Sequence, residues 1–126
     1  PLCRAEGIGV LPWSPLARGR LTRDWNDHTY REETDEAGRK FYAGVAEADK
    51  AVVDAVGQVA AARGVPRAQL ALAWLLQQPG ITSPIIGASR EGHLEDAIAA
   101  LALKLTPEES TALESPYVPH PVAGPL

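Results

Sequence analysis

The stretch Ile81–Ala97, ITSPIIGASREGHLEDA, dictates more of the architecture than any other part of the chain. It reads as a buried strand centred on Ile85-Ile86, a glycine turn, and then an amphipathic helix. A strand that turns directly into a helix calls for a parallel neighbour, because parallel strands are joined through helical crossovers. Gly87 has no Cβ and lets a ligand approach the backbone. Ser89 and Arg90 stand just before the helix, where unpaired N–H groups and the positive end of the dipole face outward. Arg90 adds a fixed cation with a planar fork of donors. Two readings are open on residue types: a phosphate cradle, or an ordinary capped helix start.

The partner strand is Gly7–Trp13, GIGVLPW, after a short lead-in at Pro1–Glu6 that reads as the end of a helix. The Gly7/Gly9 pair is not a dinucleotide fingerprint, because the third glycine is missing and both glycines precede the strand. Ser14–Arg23, SPLARGRLTR, is a loop punctuated by Pro15 and Gly19 and made locally basic by Arg18, Arg20 and Arg23. Arg20 to about Glu47 shows no sustained periodicity. Long structureless stretches in compact domains are usually functional or disordered. Trp25, Tyr30, Phe41 and Tyr42 within it favour a lid over residues 20–47.

Helical order is expected from near Ala48, with Val52, Val53, Val56, Val59 and Ala60 on one face and Gly64 as the stop. Pro66 opens a second helix whose residues Leu70–Leu76 are apolar nearly all round, which predicts deep packing and makes Trp74 core. After the second strand, Leu94, Ala97, Ile98, Leu101 and Leu105 form an apolar stripe expected to face the core. Thr106-Pro107-Glu108-Glu109 predicts a capped helix ending near Glu114, followed by an extended proline-rich tail over 115–126.

Strand, long loop, helices, strand, helix, helix is an α/β order. Two parallel strands alone make a poor sheet with unpaired edges. The expected architecture is therefore a portion of a larger parallel barrel, with the loops after both strands on one rim. The 126 residues are 45% hydrophobic and 22% charged, as in a globular protein. A net charge of −4 offers no basic footprint for nucleic acid, and no apolar run approaches the ~18 residues that span a membrane. No secretory pattern opens the chain, and Cys3 is its only cysteine, so a reducing, cytoplasmic setting is expected. The absence of methionine implies a removed initiator or a piece of something longer.

GIGVLPWSPLARGRLTR, RGVPRAQLALAWLL and SPIIGASREGHLEDAI, in that order, resemble the C-terminal part of the aldo-keto reductase family, and the PYVPHP tail continues the likeness. The resemblance points to the bacterial, potassium-channel β-subunit-like branch. It implies the C-terminal portion of a (β/α)8 TIM barrel over 1–126, contributing the last two strands, their helices and the tail. It also implies an oxidoreductase that uses NADPH to reduce aldehydes or ketones to alcohols. Trp13 would lie against the nicotinamide. Ser14, Leu16, Arg18, Gly19, Leu21 and Arg23 would run along the pyrophosphate. Gly87, Ser89 and Arg90 would hold the adenosine 2′-phosphate, which favours NADP over NAD, and His93 and Asp96 would meet the phosphate and adenine. His93 stands where the family often has Gln, Arg or Lys, and Ala97 where it often has Asn, which weakens the expected grip on the cofactor.

The family's catalytic tyrosine, lysine, aspartate and histidine lie in the other half of the barrel. Tyr30, Tyr42, Tyr117, His28, His93 and His120 do not sit in their motifs, so no catalytic residue is assigned here and the chain alone is expected to be inactive. The three histidines have no zinc spacing, and no metal site is expected. Ser14 and Ser89 lack a nucleophile-elbow context. The charged run Glu32–Glu36 reads as a solvated face. Expected partners are a small carbonyl substrate in the intact enzyme, and either a missing N-terminal half-barrel or a second copy. The alternative to an enzyme portion is a non-catalytic, truncated nucleotide-binding or interaction module.

Overall fold

A computed structural model describes residues 1–27 and 46–119. The central element is a ten-residue helix, Arg67–Leu76, with Leu70, Ala71, Leu72 and Ala73 buried. It is labelled α3, after α1 (Leu2–Ala5) and α2 (Ala46–Arg63). It is followed by α4 (Glu91–Ala100) and α5 (Pro107–Glu114). Consecutive buried positions on α3 require neighbours on more than one side. One core joins Val56, Ala60, Leu70 and Leu113, bringing α2 and α5 against α3. The other joins Leu72, Ala73 and Ala100, bringing in α4. Leu103 packs against both cores. Trp74 sits half-buried beside the first, and its indole N–H donates to Glu114 at 2.8 Å.

The helix ends follow their local chemistry. Gly64 has φ +68 beyond the end of α2. Its N–H donates to the Ala61 carbonyl and that of Val65 to the Ala60 carbonyl, at 3.2 and 3.1 Å. This is the Schellman pairing that a left-handed glycine permits. At α5, the Glu109 N–H donates to Thr106 Oγ1 at 3.2 Å, and the Thr106 N–H to Glu109 Oε2 at 2.8 Å. The expected capping box is therefore present. The Arg63 guanidinium ties α2 to the same point by pairing with Glu109 and donating to the Lys104 carbonyl at 2.7 Å. That guanidinium, and then the Thr106 N–H, hold the Glu109 carboxyl below the usual carboxylate range. Gln77 pins the following segment: its amide donates to the Leu103 carbonyl and its carbonyl oxygen accepts from the Leu105 N–H, both at 3.2 Å.

Two expectations are corrected. First, neither expected strand forms as a strand among the described residues. The segments Gly7–Trp13 and Ile81–Ile86 do run parallel, but they meet at two isolated bridges, Val10 with Ile81 and Trp13 with Ile85. The Thr82 N–H donates to the Val10 carbonyl at 2.9 Å. A regular parallel ladder would next use the nitrogens of Pro12 and Pro84, and proline has no N–H. Ile85 donates to the Pro12 carbonyl instead, at 2.8 Å. Between bridges the first segment advances three residues and the second four, so the register slips by one. Ile85 is exposed and Ile86 half-buried. Second, the expected stripe faces the core only in part. Ala97 and Leu105 pack against the cores, but Leu94, Ile98 and Leu101 are exposed, and Ala100, outside the stripe, is buried beside Ala73. The small alanines permit close helix approach, and the large side chains lie on the open side. The helix expected near Ala48 is described from Ala46.

Most of the expected lid lies outside the described residues, including Tyr30, Phe41 and Tyr42, as does the tail from His120 onward. The described start of that lid is ordered: Arg20 lies over the Trp25 ring, 5.0 Å from its centroid. Ser115 and Pro116 form a turn instead of continuing extended, with the Tyr117 N–H donating to the Glu114 carbonyl at 3.0 Å.

Candidate functional site

The two bridges orient the site. Because the segments run parallel, the chain leaves both at the same end. Ser14–Arg23 follows the first segment and Gly87–Asp96 follows the second, so the two expected binding groups emerge on one edge. Leu16 and Ile86 pack against the same core, which fastens the loop to the turn.

The loop carries backbone strain. Ser14, Ala17 and Arg18 have φ of 48, 49 and 56, and Gly19 has φ 95. The left-handed region costs an L-residue about 1–2 kcal/mol, so the surroundings must hold this shape. The Ala17 N–H donates to the Ser14 carbonyl and that of Gly19 to the Leu16 carbonyl, both at 2.9 Å. Gly19 needs to be glycine for space as well, since a Cβ there would meet the Arg23 guanidinium at 2.9 Å. The Gly19 carbonyl accepts from the Thr22 hydroxyl and from Arg23 Nη1, each at 2.8 Å. Arg23 Nε also donates to the Asp27 carbonyl at 2.9 Å. Arg23 thus folds back onto its own loop. Leu16 and Leu21 point to the two cores, and they shape the loop from beneath.

On the other side of the edge, Gly87, Ser89, Arg90 and His93 are exposed and Asp96 is half-buried. Arg90 is the N-cap of α4, with extended backbone, and no side chain caps the helix start. Ser89 therefore does not fill the ordinary capping role, and the helix end remains open to an anion. Glu91 in the first turn opposes that attraction. Trp13 is 63% exposed, beside the bridge to Ile85.

Two residues that pattern reading missed support the loop. Arg67, at the start of α3, donates to the Arg23 carbonyl at 2.8 Å and pairs with Asp24. Its guanidinium lies against Gly57 of α2, where a Cβ would come within 2.5 Å of it. The available signal was the glycine: inside a helix it costs about 1 kcal/mol relative to alanine and usually has a packing reason.

The aldo/keto reductase family model matches residues 1–117. The chain belongs to this family. Versiconal hemiacetal acetate reductase of Aspergillus parasiticus is 40% identical over 97% of this chain and 36% of its own length. A Schizosaccharomyces pombe protein named for aryl-alcohol dehydrogenase is 44% identical over 98% of this chain and 35% of its own. A Saccharomyces cerevisiae protein with the same type of name is 38% identical, over 95% and 35%. The likeness therefore runs to fungal reductases and dehydrogenases, and the bacterial, potassium-channel β-subunit-like branch is not the group these relatives represent. The chain spans about a third of the length of the relatives it matches. No helix among its described residues is long and apolar enough to cross a membrane.

Proposed function

We propose that this chain is the dinucleotide-binding portion of an NADP(H)-dependent aldo-keto reductase that reduces aldehydes or ketones to alcohols in a cytoplasmic setting. The parallel bridging of the two segments carries this reading, because it brings the strained loop and the open helix start to one edge. The donor set suits a dinucleotide with a 2′-phosphate: an exposed arginine, a serine hydroxyl, a glycine and a helix end without a side-chain cap. Gly87, Ser89, Arg90 and His93 would hold the 2′-phosphate, with Asp96 toward the adenine. Ser14, Arg18 and Gly19 would follow the pyrophosphate, with Leu16, Leu21 and Arg23 shaping their loop. Trp13 would face the nicotinamide, whose bound reduced form supplies hydride. Reduction also needs a proton donor at the carbonyl oxygen. The family's donor tyrosine and its partners have no counterparts here, so turnover would require the other half of a barrel.

NADPH titration of the chain, with NADH as comparison and tryptophan fluorescence as readout, tests the binding. The expected result is saturation that prefers NADPH and weakens about tenfold in Arg90→Ala, the scale of a charge-assisted contact. Absence of binding, or equal affinity for both nucleotides, would overturn the reading. The chain alone is expected to leave NADPH unoxidised in the presence of an aldehyde, and turnover by contaminant-free protein would contradict that.

A second reading, a non-catalytic interaction module, is favoured by one observation. Leu94 and Ile98 on α4 and Leu101 at its C-cap are each more than half exposed, as are Ile8, Leu11, Trp13 and Ile85 on the bridged segments. Such a surface fits the missing half-barrel or a second copy of the chain.

A further inference from the structure

We propose that Arg67 is a positioning residue for the bound dinucleotide, acting through the shape of the Ser14–Arg23 loop. The inference rests on the cofactor reading above. Arg67 is far from the loop in sequence and sits on the most buried helix, so it ties the loop to the rigid part of the molecule. Its guanidinium fork divides its donors: Nη1 takes the Arg23 carbonyl at 2.8 Å, and Nη2 takes the Asp24 carboxylate. Arg23 in turn donates to the Gly19 carbonyl at 2.8 Å. A connected path therefore runs from α3 through both the backbone and the side chain of Arg23 to the left-handed turn at Arg18-Gly19.

The two ends of the fork are unequal. The Asp24 side chain is 73% exposed, so that ion pair is screened by water and contributes little. The Arg67 side chain is 21% exposed, and its bond to the Arg23 carbonyl is the one sheltered from solvent. Gly57 makes the arrangement sterically possible, since a Cβ would occupy the guanidinium's place. A planar fork in a fixed slot has little freedom left to lose, which suits a residue that must hold a strained backbone.

The test compares two ligands. NADPH spans both halves of the edge, whereas adenosine 2′-phosphate reaches only Gly87–Asp96. Arg67→Ala is expected to weaken NADPH about tenfold and leave adenosine 2′-phosphate within about twofold, the difference being one charge-assisted hydrogen bond. Arg67→Lys, with a single ammonium in place of the fork, should recover part of the loss. Asp24→Asn should change neither ligand. Gly57→Ala should reproduce the NADPH loss with Arg67 still present. Unchanged NADPH affinity in Arg67→Ala, or parallel loss of both ligands, would overturn the proposal. If the native chain binds neither ligand, the cofactor reading falls by itself. Amide exchange then decides whether Arg67 holds the loop: faster exchange at Gly19 and Leu21 in Arg67→Ala, with α2 and α3 unchanged, would support it, and identical exchange would sink it.

Discussion

Single side chains carry much of the order at the junction of α2 and α5. Glu109 accepts from Arg63 and from the Thr106 N–H, and both hold its carboxyl low. Glu108 is also held low, first by its own backbone N–H and then by the Thr106 hydroxyl. A carboxyl whose folded value is depressed contributes stability that is fully present above its unfolded value and is lost as the pH falls through the folded one. The native chain should therefore lose melting temperature on acidification below the usual carboxylate range, and Glu109→Gln should lose less over the same interval. Equal losses would show that the pair adds nothing. Thr106→Ala should cost about 1 kcal/mol in denaturant unfolding, the usual value of an N-cap. Leu70 is fully buried, and Leu70→Ala should cost about 2–5 kcal/mol by the same measurement.

Elements differ in how far pattern alone reveals them. The ends of α2 and α5 were legible because each depends on residues adjacent in sequence: Gly64 with Val65, and Thr106 with Glu109. Gly64→Ala should cost about 1 kcal/mol or slightly more, because the position is left-handed although it has room for a Cβ. The strands were not legible in their observed form. Val10 and Ile85-Ile86 have the composition of strands, but Pro12 and Pro84 remove the donors that a ladder needs at the same rung. Of the expected stripe, Ala97 and Leu105 meet the cores while Leu94, Ile98 and Leu101 stay exposed, because periodicity does not say which neighbour covers a face. The candidate site divides in the same way. Its two binding segments follow local motifs, whereas Arg67 and Gly57 meet only once α2 and α3 pack.

At the scale of the whole molecule, the described residues bury their apolar surface around α3 and leave a second set uncovered. Patches of that kind favour association. Light scattering of the chain should show a mass that rises with concentration, and Ile98→Lys, on the bare side of α4, should lower it. A compact monomer at every concentration would count against both the self-association and the need for a covering half.

The slip between the bridges makes the number of residues in this segment matter as well as their kinds. Side chains alternate along extended backbone, and the extra residue of a bulge is the place where the count can fall by one without inverting the facings downstream. With Ser83 deleted, both segments would advance three residues between the bridges, so the slip would vanish while Ile85 stayed outward and Ile86 kept its place beside Leu16 at the core. Length variation before Gly87 is therefore one-sided: loss of the extra residue keeps the edge assembled, whereas a further insertion beyond the slip turns Ser89 and Arg90 away from it.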